Sequence, residues 1–221
     1  MRKGMFGNEF SEMHKLQAAQ EERMGGSARK NGVTLETKRL ILRRWASRDF
    51  EHYREMCMDT EVMMAAGARP AKNLTEARKQ FRHAKLSRDY YAIVLKASNV
   101  PVGQIHFQED IRRYRINSIS IGYELSKAYW GKGIMTEALK AMVYLAFQQK
   151  MVDVIGIGHF LDNHRSRRVI EKCGFSPEGI LRMAYLRYDG AIFDDASYAL
   201  LRSEYLANRM RYEEVLIEPP F

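Results

Sequence analysis

Residues 121–139 run Ile121-Gly-Tyr-Glu-Leu-Ser-Lys-Ala-Tyr-Trp130-Gly-Lys-Gly-Ile-Met-Thr-Glu-Ala-Leu139. The segment starts within an alternating strand, Ser118–Leu125, and crosses a loop with glycines at 131 and 133. It then opens the most regular helix of the chain, 135–149, whose Ala138, Leu139, Met142, Val143, Leu145 and Ala146 form one broad apolar face. Glycine lets the backbone approach a ligand with no Cβ in the way. The first N–H groups of a helix have no internal partner, and the helix dipole adds positive potential there. Strand, glycine loop and helix start together make an anion cradle, and a pyrophosphate suits it. Two common cradles are excluded. The mononucleotide loop needs Gly-x-x-x-x-Gly-Lys-Ser/Thr, which is missing. The dinucleotide fingerprint needs a third glycine where this chain has Thr136.

Working outward, Leu35–Trp45 partly alternates and predicts a semi-exposed strand. Ser47 can cap a helix with Phe50, Tyr53, Met56 and Cys57 on one side, followed by a short piece over Thr60–Ala66 and a helix over Thr75–Leu86. Tyr90–Leu95 and Val102–Phe107 read as a hairpin turning at Asn99-Val100-Pro101, with Ser118–Leu125 as its third strand. After the long helix come a strand, Val154–Phe160, and a short helix, Asn163–Cys173, closed by Gly174. Ser176–Leu186 and Ala191–Leu200 pair around Tyr188-Asp189-Gly190, and Glu204–Met210 adds a helical turn. This order predicts an α/β (α+β) fold: a central mixed, mostly antiparallel sheet covered by helices. Residues 1–33 read as an N-terminal extension, possible as a short docking helix, 34–201 as the domain, and 202–221 as a C-terminal tail.

The composition fits one domain: 221 residues, 46% hydrophobic and 29% charged. Two cysteines exclude a disulfide scaffold and a four-cysteine zinc site. The six histidines are scattered without ligand spacing, so no metal is expected. No apolar run is long enough to span a membrane and no secretion signal is visible, so the expected compartment is the cytoplasm. The net charge of +9 favours anionic ligands and partners without choosing among them. Arg69–Arg88, with seven basic residues against one acid, is either a solvated helix face or a wall for an acidic partner.

The second informative element is Asn163-His-Arg-Ser166-Arg-Arg-Val-Ile-Glu-Lys-Cys-Gly174-Phe175. Asn163 can cap its helix and offer an amide, Ser166 places a hydroxyl on the first turn, and Arg165, Arg167 and Arg168 are candidates for phosphate contact. Cys173 lies among apolar neighbours and reads as core, with no paired His to support a covalent mechanism.

Together the two elements resemble the GNAT superfamily of acetyl-CoA-dependent N-acetyltransferases, and within it the branch that acetylates ribosomal-protein N-termini. Leu35-Glu-Thr-Lys-Arg-Leu-Ile-Leu-Arg43 is similar to that branch's first strand, and Glu178-Gly179 and Tyr188-Asp-Gly190 also match. The likeness spans about Thr34–Leu201. It implies splayed strands forming an acyl-CoA cleft, with a bulge near Gly122-Tyr123. Backbone N–H groups along Trp130, Gly131, Lys132, Gly133, Ile134 and Met135, at the start of a helix that includes Thr136, would hold the pyrophosphate of acetyl-CoA. Tyr123 and Leu125 would lie beside the pantetheine, and Asn163, Arg165 and Ser166 would complete the cofactor contacts. The chain departs from the wider superfamily at Trp130, usually Arg or Gln, at Met135, usually Gly or Ala, and at Ile170, usually the tyrosine acid.

The implied reaction is direct attack of a neutral amine on the thioester. Ser166 is the candidate proton donor to the leaving thiolate or a hydrogen-bond partner of its sulfur. Glu124 and Glu178 are candidate bases, and Tyr185 occupies a position where some relatives carry an acid. The expected acceptor is a primary amine, foremost a protein N-terminus such as that of a ribosomal protein. A small-molecule amine (polyamine, amino acid or drug) and a non-catalytic acetyl-CoA sensor are the alternatives. Direct nucleic-acid binding has only charge in its favour. A monomer or weak homodimer is expected, with the extension or the tail near Tyr212 and Val215 as possible contacts.

Overall fold

The computed structural model describes residues 33–217; the sequence reading of the N-terminal extension lies outside them. Eight strands form one sheet: β1 (Leu35–Glu36), β2 (Leu40–Arg43), β3 (Tyr90–Leu95), β4 (Val100–Glu109), β5 (Ser118–Leu125), β6 (Val154–Phe160), β7 (Ser176–Leu186) and β8 (Ile192–Leu201). Their spatial order is β1-β2-β3-β4-β5-β6-β8-β7, antiparallel except for β5 beside β6. The helices are α1 (Phe50–Met58), α2 (Thr60–Ala65), α3 (Leu74–Leu86), α4 (Ile134–Leu145), α5 (His164–Lys172), α6 (Arg202–Ala207) and α7 (Met210–Glu213).

The predicted first strand is two strands. Thr37 closes a tight turn: its Oγ1 accepts from Leu40 N at 2.9 Å, and its N donates to the Leu40 carbonyl at 2.9 Å. That turn puts Leu35 opposite Leu42, both buried. Asn73 rather than a threonine starts α3, its Oδ1 accepting from Glu76 N at 3.0 Å. Asp59 caps α2 in the same way, accepting from Glu61 N and Val62 N.

The strands' alternation divides two layers. Ala92 and Val94 of β3 join Trp45, Tyr53, Met56, Cys57 and Phe81 under α1–α3. Residues of opposite parity, such as Ile93 and Ile105, are fully buried on the other side. Helix α4 is buried from Ala138 to Leu145 at every position but Lys140. A helix apolar nearly all round needs cover on its back as well as its front. The segment after Leu201 contributes to that cover. Tyr205 stacks on Phe147, which follows α4, at 4.6 Å, and Tyr212 donates to the Cys173 carbonyl at 3.0 Å. Both tyrosines are almost wholly buried, each contributing roughly 1.5–3 kcal/mol. Tyr212, read from sequence as a possible subunit contact, is committed inside its own chain.

The expected splay is present, but its origin differs from the expected bulge. β4 and β5 pair in unbroken register from Gly103↔Leu125 to Glu109↔Ile119. β5 pairs with β6 only from Ser118↔Val154 to Ser120↔Gly156. β6 meanwhile stays on β8 as far as Phe160↔Asp195. Beyond Ser120 the two parallel strands therefore diverge. A bulge does occur elsewhere, between Ile93 and Val94, where β4 presents Pro101, which has no N–H for the ladder.

Candidate active site

The divergence of β5 and β6 opens a cleft of about 710 Å³. Its backbone wall follows from the ladder. Ser126 N donates to the Val102 carbonyl at 2.8 Å, so Glu124 and Gly122 also direct their N–H groups toward β4. By alternation the N–H groups of Tyr123 and Leu125 face the cleft. The Leu125 carbonyl is engaged by Trp130 Nε1 at 2.6 Å, which folds the indole back against the strand end. Arg165 of α5 covers that ring at 4.0 Å, a cation–π contact.

Gly131 and Gly133 both have left-handed backbones, with φ of 74° and 72°. A Cβ would meet nothing within 4 Å at Gly131 and only Arg39 Nη2, at 3.5 Å, at Gly133. The glycines are thus required by backbone conformation, not by crowding from the protein. Gly133 is the N-cap of α4 and has no side chain to accept from the helix, so the loop's N–H groups stay open to an anion. Two residues that sequence reasoning missed brace this loop from behind. Arg39 donates through Nη1 to the Lys132 carbonyl at 2.9 Å and through Nε to Glu137 at 2.7 Å. Burial pushes the Glu137 carboxyl up, but hydrogen bonds from Thr37 and Arg39, with Arg39's charge, outweigh it and hold it below its ordinary range. Arg39 lies in the β1–β2 turn, about a hundred positions from its partner, so no local pattern announces it.

Helix α5 lines the cleft with Arg165, Ser166, Arg168, Val169 and Lys172, one face at helical spacing. Arg167 points away and pairs with Glu171 at 2.8 Å. Asn163 accepts from Ser166 N at 3.1 Å and donates to the Ala65 carbonyl at 3.0 Å. It therefore caps α5 and ties it to the end of α2. Ser166 Oγ lies 2.7 Å from Tyr123 Oη. Burial drives the Tyr123 phenol well above its ordinary value, with the Ser166 hydrogen bond opposing. The superfamily's usual tyrosine position, 170, is here a fully buried isoleucine one turn further along α5. Cys173 is buried, its thiol pushed up to about 12 by burial, so its thiolate is scarce at neutral pH.

The two candidate bases have different surroundings. Glu124 is buried, lines the cleft on the face of β5 opposite Tyr123, and leaves Oε2 without a partner among the described residues. Glu178 is held by Arg113 at 2.6 Å and accepts from Ser197 at 3.3 Å, and it is not among the lining residues. Tyr185 lines the cleft, but its hydroxyl donates to the Gly67 carbonyl at 2.8 Å while its ring packs on Phe160. It joins the β7–β8 hairpin to the loop after α2. Asp195 also lines the cleft and is ion-paired with Arg112. Among the described residues no cluster of His, Cys, Asp or Glu has the arrangement of a metal site, and no helix is long and apolar enough to cross a membrane.

Comparison with known proteins agrees with this geometry. Residues 39–176 match the family described as acetyltransferase (GNAT) domain. The chain is 28% identical over 173 residues to the uncharacterized N-acetyltransferase YoaA of Bacillus subtilis, covering 76% of this chain and 96% of the relative. The fold is shared with the ribosomal-protein-S5-alanine acetyltransferase of Vibrio fischeri, at TM-score 0.65, 20% identity, and coverage of 78% and 98%. It is shared also with the spermidine N-acetyltransferase of Vibrio cholerae, solved with CoA and spermine, at TM-score 0.63, 19% identity, and coverage of 76% and 98%. The cradle, the diverging strands and the family match lead to one conclusion: this chain belongs to the GNAT family and is an N-acetyltransferase.

Proposed function

We propose that the protein transfers acetyl from acetyl-CoA to a protein N-terminal α-amine, with a ribosomal protein as the foremost candidate. The observation that carries the choice of acceptor is the charge inside the cleft. Two carboxylates line it among the described residues, and Arg112 neutralises one of them, Asp195. Glu124 alone is left to meet a cation. One carboxylate suits a single ammonium, whereas a polyamine carries several charges that each need a partner. The acceptor's own basicity points the same way. An α-amine titrates near about 8 and a lysine-type amine near about 10.4, so the first needs less help to become a nucleophile. Met183, Leu186 and Ile192 are exposed on the hairpin that carries Tyr185, an apolar surface of use to a polypeptide acceptor.

The roles follow from placement. The open N–H groups from Gly131 to Met135, at the head of the helix that carries Thr136, with Arg165 and Arg168 of α5, would bind the pyrophosphate, and acetyl-CoA supplies the activated acyl group; the Trp130 N–H, expected to join them, is already spent on the Lys127 carbonyl at 3.1 Å. The N–H groups of Tyr123 and Leu125 would donate to the thioester oxygen, where negative charge develops during attack. Glu124 takes a proton from the acceptor ammonium. On the opposite face, the Tyr123–Ser166 hydroxyl pair donates a hydrogen bond to the departing sulfur, which leaves as a thiolate and takes its proton from solvent, the pKa of its conjugate acid being about 8.5. Base and hydroxyl donor thus stand on opposite faces of one strand.

The test is mass spectrometry of an amine panel incubated with acetyl-CoA and the full chain: ribosomal-protein N-terminal peptides, lysine-containing peptides blocked at the α-amine, and spermidine. Acetylation of α-amines in preference to the others is expected. Turnover of spermidine with untouched peptides would refute the choice of acceptor.

A further inference from the structure

The face of β5 that carries Glu124 holds two buried polar atoms without a hydrogen-bond partner among the described residues: Glu124 Oε2 and Nδ1 of His106 on the neighbouring strand β4. Both side chains are more than nine-tenths buried, and the two atoms are 3.9 Å apart. Buried polar atoms are nearly always paired, so two orphans facing each other call for a physical explanation. The imidazole is tightly held. Tyr90 stacks on it at 4.3 Å and 5°. Its Nε2 edge lies over Gly122, where an added Cβ would come within 2.5 Å. A larger residue at 122 would displace the ring.

Tyr53 approaches from α1 and Tyr90 from β3, and beyond Tyr90 stand His83 of α3 and Asp89. Asp89 is paired with Lys150. Burial and then the Glu124 charge raise the Tyr90 phenol, and burial raises that of Tyr53. Neither phenol can readily take a proton from a carboxylic acid. Of these neighbours the imidazole can.

We propose that His106 is the proton partner of Glu124, a positioning residue that accepts at Nδ1 the proton Glu124 removes from the acceptor ammonium. This inference rests on the acetyl-transfer reading above. The N–H bond of the ammonium breaks as an O–H bond forms on the Glu124 carboxylate; the carboxyl turns that hydrogen toward the imidazole, the O–H bond breaks, and an N–H bond forms at His106 Nδ1. The amine keeps the electron pair with which it attacks. The transfer requires the imidazole to start with its proton on Nε2, and the two atoms to close by about 1 Å to hydrogen-bond distance. After the acetylated product leaves, the proton returns through Glu124 to the open cleft.

The experiment compares wild type, His106→Gln and His106→Asn for kcat/KM against pH, using whichever amine the wild type acetylates. Either variant should lower kcat about tenfold or more and shift the acid limb of the profile, which in wild type reports the His106–Glu124 pair and in the variants Glu124 alone. KM for acetyl-CoA should not change. A variant that is folded and keeps the wild-type acid limb overturns the proposal, because packing alone would have no proton to lose. Nitrogen NMR of the imidazoles in wild type and Glu124→Gln gives a reading with His106 intact. The pH response of the His106 Nδ1 signal should differ between these two chains, and coincident responses overturn the proposal. Absence of transfer to any amine would instead refute the acetyl-transfer reading, and the NMR comparison would still decide whether the two groups share a proton.

Discussion

The two ends of the cleft are built from different materials. At the end proposed to hold the cofactor, the segment from Leu125 to Glu137 supplies strand end, indole wall, loop and helix start, and it presents mostly backbone. At the end proposed to receive the acceptor, Gly67, His106, Arg112, Glu124, Tyr185 and Asp195 come from six separate places in the chain and present largely side chains. A backbone cradle recognises what all its ligands share, a diphosphate. A side-chain assembly can change its ligand by changing one residue. The cofactor end can therefore remain constant while the acceptor end sets specificity.

The largest effect expected from this division is at Glu124. Replacing it with Gln removes the one free carboxylate of the cleft and keeps its shape. The value of kcat/KM should fall about 10²- to 10³-fold, while calorimetric affinity for CoA stays unchanged. Loss of CoA affinity in this variant would show that the two ends are not separable.

Next comes Gly133→Ala. The left-handed backbone at 72° costs an L-residue roughly 1–2 kcal/mol. If the loop relaxes to avoid that strain, the N–H groups turn away and CoA binding weakens by about tenfold. The acceptor KM should not move. Because a Cβ at Gly133 meets only ordinary contact, a full loss of folding would contradict the argument.

A smaller effect belongs to Tyr185→Phe. It removes the hydroxyl from Gly67 and leaves the ring on Phe160. One neutral hydrogen bond at a half-exposed site is worth about 0.5–1.5 kcal/mol. A few-fold rise in acceptor KM, with kcat nearly intact, would assign Tyr185 to holding the cleft's rim. A loss of kcat comparable to that of Glu124→Gln would restore it as a proton carrier.

What the sequence made legible follows the same division. The loop and the helix after it could be read because their signal is local: two glycines, a strand before them and an apolar repeat after. The hairpin around Asp189-Gly190 was legible for the same reason, and Gly190 indeed has φ of 88°. The splay was expected but assigned to a bulge. Strand divergence depends on which neighbour each strand keeps, and β6 keeps β8 across some forty residues of sequence. Glu124 and Glu178 looked equivalent, each a glutamate on a strand. Arg113, 65 positions away, engages one of them and leaves the other free. Asn163 and Tyr185 were both recognised, yet their bonds to Ala65 and Gly67 bridge about a hundred positions. The apolar back of α4 gave a hint that went unused. A helix buried on all sides requires further chain to cover it, and Tyr205 and Tyr212 supply part of that cover.

The smallest effect tests the support behind the cradle. Glu137 accepts from Thr37 Oγ1 at 2.5 Å, Arg39 N at 3.0 Å and Arg39 Nε at 2.7 Å, all from the β1–β2 turn. Its folded-state pKa is depressed, so its contribution to stability is present above the unfolded value of about 4.3 and is lost as pH falls through the folded one. Arg39 is half exposed, so solvent screening limits that contribution to about 1 kcal/mol. Glu137→Gln should therefore lower the Tm at pH 7 by a few degrees, and the difference from wild type should shrink as both are titrated below pH 4. CoA affinity should drop only slightly, since Arg39 can still reach the Lys132 carbonyl. A Tm difference that persists undiminished at low pH would mean that Glu137 acts by packing and not by charge. The cradle's shape would then be set by the loop itself, with no help from the turn behind it.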